Sequence, residues 1–314
     1  MYSHQDALTT FANFVDSIQR MIDRVKTQRA TATTEGLQLY NLGEFNRAKP
    51  LLLIGATDSD KDAQYALAES IRRSAAGMTE EARRWYQKAA DQDHVYALLR
   101  LGDGPSLKKA KTLIDANVDS AMGCLQDYEL NKNIESLRKS EQAGSAEAKY
   151  ILAGLYGSNE NLVPAGLTPS KEIKRLYLEA ATAGLPKAMS AYSNLISVRN
   201  DKPIKRLWLE KRLELNDVSA LISYALALST EYDMDEDERE YGYEEDLVTA
   251  YALLWLVVDT TREFRRHTES ARNLRALESE LTAAQIAQAK QQAQTWKLSH
   301  PPMSEYRLTY SDVI

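Results

Sequence analysis

The chain has 314 residues, 44% of them hydrophobic, which is ample for a packed core. A formal charge of −6 argues against nucleic acid as the main partner, and one cysteine, Cys124, excludes an internal disulfide framework. No stretch approaches the ~18 apolar residues that span a bilayer, and only 13 glycines and 8 prolines stand against abundant alanine and leucine, which favours helix over sheet.

Taken in chain order, Leu8, Phe11, Val15, Ile18, Ile22 and Val25 recur every three or four residues. That spacing predicts an amphipathic helix over 5–29, read as an N-terminal cap on the first repeat. Glu35 to Leu53 predicts a helix, a turn at Asn41-Leu42-Gly43, and a second helix.

From there one pattern repeats six times. An alanine is followed four residues on by a large apolar residue and one step further by a small one. The anchors are Ala63, Ala97, Ala121, Ala148, Ala188 and Ala220; only Gln126, at the small position after Ala121, breaks the rule. Large and small at that spacing share one helical stripe, where the small residue lets a second helix approach closely. Each anchor predicts a first helix, and each first helix is followed by a second carrying its own signature. Ala82-Arg83-Arg84-Trp85-Tyr86 is matched by Ile173-Lys174-Arg175-Leu176-Tyr177 and more loosely by Ile204-Lys205-Arg206-Leu207-Trp208. Gly144, Gly184 and Asn216-Asp217 are helix-stop residues between units. Anchor spacings of 34, 24, 27, 40 and 32 place long loops at Gly157 to Ser170 and at Thr230 to Glu245. Thr282-Ala283-Ala284-Gln285 reads as a capping box that opens a last helix running to about Lys297, before Pro301-Pro302. Residues 303–314 read as an extended tail.

Units that cannot bury their apolar faces alone and recur every few dozen residues signal a solenoid. The stretches DAQYALAE (62–69), EARRWYQKAA (81–90), EAKYILAGLY (147–156), KRLYLEAATAG (174–184) and AYALLWLVV (250–258) resemble Sel-one-like repeats, a branch of the tetratricopeptide solenoids. LTAAQIAQAKQQAQTWK (281–297) is similar to the helix that often ends such arrays, while the units over 97–147 are short and lack the usual glycines. The resemblance implies an all-α fold, a right-handed α/α superhelical solenoid with capping helices at both ends. It divides the chain into an N-terminal capping helix (1–33), an array of about six to seven helix pairs (34–280), and a C-terminal capping helix with a tail (281–314).

Chemistry-bearing patterns are scarce. The histidines His4, His94, His267 and His300 show no metal-ligand spacing and read as surface or turn residues. There is no nucleophile elbow, phosphate loop or dinucleotide fingerprint, and Cys124 reads as a buried, inert thiol. No catalytic residue, metal site or cofactor is expected. Basic pairs at Arg83-Arg84, Lys108-Lys109, Lys174-Arg175 and Lys205-Arg206 fall at equivalent positions and suggest one solvated outer face.

Two sets of residues are candidates for binding a partner. In related solenoids the first helices line a concave groove. The positions two and six after four of the anchors are Tyr65 and Glu69, Leu99 and Asp103, Tyr150 and Gly154, and Ser190 and Asn194, a mix that suits a protein or peptide; Tyr65 and Tyr150 read equally well as core. The second set is the segment Glu231 to Asp246, with ten carboxylates against one arginine. Asp233, Asp235, Asp237 and Glu244 fall at positions one, three, five and twelve of a calcium-loop template, but Glu238 stands where that template needs glycine. Calcium binding is therefore the weakest of three readings, behind a solvated loop and a recognition loop for a basic partner. Tyr232, Tyr241 and Tyr243 favour recognition, and on that reading the loop is dispensable for folding.

The resemblance implies a non-enzymatic protein-binding scaffold, bacterial and often of the cell envelope. Within that class we expect an immunity or inhibitor protein that neutralises a secreted antibacterial effector, for instance a phospholipase delivered by type VI secretion. An envelope-assembly or regulatory scaffold is the alternative, and a hydrolase of cell-wall or antibiotic substrates a more distant one. The expected compartment is the periplasm, with a signal or lipid anchor removed ahead of Met1 as the one route to a membrane; the alternative is the cytoplasm.

Overall fold

The computed structural model describes residues 4–41, 43–196, 201–230, 239–261 and 264–303. Among these, all regular structure is helical: sixteen α-helices and one short 3-10 turn, with no β-strand. No described helix is long and apolar enough to cross a membrane.

The anchored first helices are α3 (Lys61–Ser74), α5 (Val95–Leu101), α7 (Ala121–Asn131), α9 (Ala146–Ser158), α11 (Pro186–Asn194) and α13 (Val218–Ser229). Their second helices are α4 (Glu80–Asp91), α6 (Gly104–Asp115), α8 (Ile134–Gln142), α10 (Pro169–Thr182), α12 (Lys202–Glu214) and α14 (Leu247–Thr260). Ahead of them run α1 (His4–Asn41) and α2 (Phe45–Thr57); behind them come α15 (Phe264–Glu278) and α16 (Ala283–Ser299).

The chain divides into two compact units, residues 1–40 with 45–97, and residues 41–44 with 98–314. In the first, α2 packs on α3 and α3 on α4. In the second, each helix from α6 to α14 packs on the next, and α14 also carries α15 and α16. Packing on chain neighbours is the mark of a helical-repeat solenoid.

One junction, used five times, turns each second helix into the next first helix. Ser59, Asp93, Gly144, Gly184 and Asn216 all have positive φ, between 54° and 96°. The residue after each donates its N–H back five positions: Asp60 to Gly55, His94 to Ala89, Ser145 to Ser140, Leu185 to Ala180, Asp217 to Arg212, at 3.0–3.1 Å. This is the Schellman closure of a helix end. Four of those same residues then cap the helix that comes next. The side chains of Asp60, His94 and Ser145 accept the N–H of Ala63, Ala97 and Ala148, and Asp217 accepts that of Ser219. Five anchor alanines, Ala63, Ala97, Ala148, Ala188 and Ala220, are therefore held one turn past a tight corner, and each is fully buried.

The array departs from the sequence reading in three places. In α7 the cap is Ser120, which accepts from Gly123, so Gly123 and not Ala121 occupies the third helical position. A Cβ at 123 would lie 1.9 Å from the Asn117 carbonyl oxygen, and only glycine fits. Gly102, read as the small partner of Ala97, instead comes just after the end of α5 with φ of 66°. Finally, no break separates a capping helix ending at residue 33 from the first repeat, because α1 is one helix of 38 residues. Among the residues whose side chains are described, the later part of α1 meets α2 and the turn that follows it. Arg29 pairs with Asp58 at 2.6 Å, and Gly36 and Thr33 lie against Leu52 and Gly55 of α2.

At the C-terminal end the capping box at Thr282 and Gln285 is present. Asn216 shows why its corner uses asparagine. Its side chain accepts from Trp296 Nε1 at 3.0 Å and donates to the Pro301 carbonyl at 2.7 Å, tying the end of α16 to the α12–α13 corner. Of the tail read over 303–314, Met303 is described and buried, and the remainder lies outside the described residues.

Ala153 and Ala225 are fully buried at small positions of the stripe. Replacing either by leucine is expected to overpack a helix contact and lower the unfolding free energy in urea by roughly 1–3 kcal/mol. Leu298→Ala, at a side chain 89% exposed, is expected to change it by less than about 0.5 kcal/mol.

Candidate functional site

The sequence-derived groove residues separate into interior and surface. Tyr65 is buried in the first unit, its ring stacked on His94 at 4.5 Å and tilted against Tyr86 at 5.9 Å. Glu69 is fully buried; it accepts from the Tyr86 hydroxyl at 2.7 Å, Arg72 at 2.8 Å and Arg73 at 3.2 Å. Burial first, and then the Glu69 carboxylate, hold the Tyr86 phenol above the ordinary tyrosine range. A carboxylate so enclosed is stabilised by donors that would be costly to remove, which makes this cluster part of the core. Asp103 serves as the α6 N-cap, accepting from Ser106 at 2.8 Å. His94, read as a surface or turn histidine, does sit in a turn, but it is buried there and caps α5.

Tyr150, Ser190 and Asn194 do come together. With Pro186, Lys187, Ala191, Arg212, Asp217 and Ser219 they line a pocket of about 320 Å³ in the second unit. The lining comes from α9, α11 and the start of α13, with Arg212 reaching in from α12. On its floor Arg212 Nε meets Asp217 Oδ2 at 2.7 Å, both side chains being buried. Asp217 Oδ1 is taken by the α13 cap, so this carboxylate is fully committed. On the wall, Lys187 Nζ lies 5.7 Å from the Tyr150 ring centroid and 3.6 Å from Glu147. Beyond the rim, Arg266 donates to the Ser219 hydroxyl at 2.9 Å.

Each basic group lining the pocket thus has an acidic neighbour, and the pocket is close to neutral. The volume lies at the small end of the roughly 300–1,000 Å³ range of ligand sites. It can take one large side chain and offers it an aromatic wall, an amide and hydroxyls. Sequence reasoning missed Lys187, Arg212, Asp217 and Ser219. Lys187 and Ser219 each stand one residue before an anchor, a position that the groove mapping did not include.

In the acidic segment Tyr232, Asp233, Asp235 and Asp237 lie outside the described residues. Tyr241 and Tyr243 are described and are not free-standing. Tyr241 is buried and stacks on Tyr243, whose ring meets Tyr224 edge-on at 5.0 Å. Arg206 lies 4.8 Å over the Tyr243 ring and donates to the carbonyls of Tyr241 and Gly242. Lys205, only 3% exposed, pairs with Glu240 at 3.0 Å. This corrects two expectations. Residues 240–243 are packed on α12 and α13, so a deletion reaching through them is expected to lower stability. The last basic pair, Lys205-Arg206, is turned into this contact rather than onto a solvated face. Arg175 also meets acids of its own and the neighbouring helix pair, lying within 3.3 Å of Glu141, Glu172 and Glu179.

We expect Tyr241→Ala to lower stability by about 2–4 kcal/mol through the cavity it leaves. Arg206→Lys should not rescue Arg206→Ala, because a lysine cannot serve two carbonyls with a planar fork; urea unfolding of the three variants checks both. Burial, then the neighbouring Glu210 carboxylate, hold the Tyr243 phenol above the ordinary tyrosine range. Its contribution is therefore fully present below about pH 10 and is lost as pH rises through the folded value. In thermal melts across the alkaline range, Tyr243→Phe should lose less stability than wild type.

No family model matches the chain, and no curated protein matches it either. Among solved structures it is similar to a protective antigen of uropathogenic Escherichia coli strains, described as displaying an SLR fold. Identity is 19%, coverage 89% of this chain and 63% of that one, and the TM-score 0.46. It is also similar to a Sel1 repeat protein from Oxalobacter formigenes, at 17% identity, with 67% of this chain and 95% of that one covered and a TM-score of 0.34. The chain therefore spans less than two thirds of the length of the first. Both solved chains carry the Sel-one-like repeat that the sequence motifs resemble.

Proposed function

We propose that this chain is a non-catalytic protein-binding scaffold, and that the pocket around Tyr150, Lys187, Ser190 and Asn194 seats a side chain of its partner. The observation that carries this reading is the convergence of three successive first helices on one near-neutral, hydrogen-bonding concavity. Small pockets with an aromatic wall are where protein interfaces concentrate their binding energy. The only carboxylate in the lining, Asp217, is committed to Arg212 and to the α13 cap, which leaves no general base at this place. The lining holds no cysteine or histidine, and its two serines have no histidine beside them in that set.

Within that class, the finer proposal is an inhibitor that neutralises a secreted bacterial effector in the periplasm. It is supported by the resemblance of the repeats. An envelope-assembly scaffold would use the same pocket with a resident partner, and the two are separated by what is bound: a toxic enzyme or a structural component.

The test is cross-linking of the intact protein in cells of its source, with the bound protein identified by mass spectrometry. Ser190→Arg and Asn194→Arg fill the pocket from partly or fully exposed positions. They are expected to weaken binding of the purified partner at least tenfold, about 1.4 kcal/mol, with unchanged thermal melts. Equal affinity of both variants and wild type would remove the pocket from the function.

A further inference from the structure

Over residues 18–25, α1 carries an apolar stripe that the folded chain leaves exposed. Ile18, Met21, Ile22 and Val25 are 38%, 61%, 40% and 48% exposed. In sequence the stripe belongs to a strict three-four spacing, that of a heptad seam. Leu8, Val15 and Ile22 fall at one core position and Phe11, Ile18 and Val25 at the other. Such a spacing lays one continuous apolar stripe along the helix, the kind of face that a second helix can cover.

The same stripe continues into the docked half of the helix. Arg29, Gly36 and Leu39 are among its next core positions. Arg29 meets Asp58, Ile54 and Thr57, Gly36 lies against Leu52, and Leu39 is buried. One face of α1 is therefore covered by α2 from residue 29 onward and bare over residues 18–25.

We propose that this face of α1, over the heptad positions from Leu8 to Val25, pairs with the same stretch of a second copy, antiparallel, in a homodimer. Three features choose this occupant. First, antiparallel pairing brings position 8 opposite position 25, 11 opposite 22 and 15 opposite 18, so all six core positions of both chains are filled by apolar residues in one register. Second, the flanking positions are compatible with their own symmetry mates. Phe14 falls opposite Met21, Ala12 opposite Gln19, and Lys26, the one charge beside the seam, opposite Gln5. Asp16, Arg20, Asp23 and Arg24 fall on the outward heptad positions, so the register brings no like charges together and desolvates none. Third, a parallel pair is obstructed, because each copy's α2 would claim the same face from residue 29 on. The antiparallel pair places the two α2 helices at opposite ends of a seam about 27 Å long.

Sedimentation velocity on the full chain tests this. Wild type should sediment with twice the monomer mass of 35.3 kDa and dissociate on dilution. Ile18→Gln with Ile22→Gln should return the mass to one chain. The melting temperature, compared at a dilution where wild type is dissociated, should stay unchanged, since neither side chain is buried in the single chain. Val15→Cys with Ile18→Cys should form a disulfide-linked dimer in air, and Ile18→Cys alone should not. A wild type that stays monomeric up to high micromolar concentration overturns the proposal, as does a dimer indifferent to the glutamine pair. A monomer that instead floats with phosphatidylglycerol vesicles through Ile18 and Ile22 overturns it in favour of a membrane surface. Cross-linking by Ile18→Cys alone overturns the antiparallel register.

Discussion

The corner between one helix pair and the next governs the whole array. A positive-φ residue, a backbone bond reaching back five residues, and a side-chain cap on the next helix occupy three consecutive steps of chain at Asp60, His94, Ser145 and Asp217. Such a corner leaves little room between the two helices one turn later, so the residue there must be small. Alanine is the residue that meets this without giving up helix propensity. The recurrent anchors are thus a steric consequence of the corner. Where the chain between units changes, the requirement sharpens: at the Asn117–Ser120 turn the clearance falls below what a methyl group needs, and Gly123 takes the place.

This explains what was legible in the sequence and what was not. Anchors, helix stops and the terminal capping box are local: each depends on residues within about six positions, and the pattern exposes them directly. The all-helical fold and its pairing derive from them. The register of α7 was only hinted at by Gln126, because Ala121 and Leu125 keep the large position of the pattern while the cap that sets the register is Ser120. The fates of Lys205 and Arg206 were not legible either. Their partners, Glu240 and the carbonyls of Tyr241 and Gly242, lie 35 and 36 residues on. A basic pair on a helix looks the same in sequence whether it meets water or a loop. Likewise Glu69 has the polarity of a groove residue, but Tyr86 and Arg72 enclose it and turn it into core.

The pocket was half legible for a related reason. Tyr150, Ser190 and Asn194 come from the helical period counted from the anchors. Arg212 and Asp217 are there because of the corner: Arg212 supplies the carbonyl that closes α12, and Asp217 caps α13. Their buried ion pair is therefore structural first and becomes pocket floor only because the corner lies beneath the first-helix face. Breaking it by removing one partner would leave a buried charge unpaired, an effect of several kcal/mol on stability. Binding at this place is best probed from the exposed rim.

The electrostatics of the second unit point the same way. Lys187 sits near Glu147, Arg212 binds Asp217, Arg175 is held among three glutamates, and Lys205 and Arg206 are absorbed by the packed segment. Charges paired at short range contribute little field at the distance of an approaching protein, because salt screens beyond roughly 8–10 Å. On the proposed reading, a partner at the pocket is selected by shape and hydrogen bonds once it arrives, with little long-range steering from these residues. That is the regime in which one well-fitted side chain decides affinity through its dissociation rate. The bare stripe on α1 belongs to the other regime, where apolar area and register do the selecting and the flanking residues act mainly by carrying no opposed charge. The pocket lining and the α1 stripe belong to different compact units of the chain and share no residue, so the variants that probe one leave the side chains of the other unchanged.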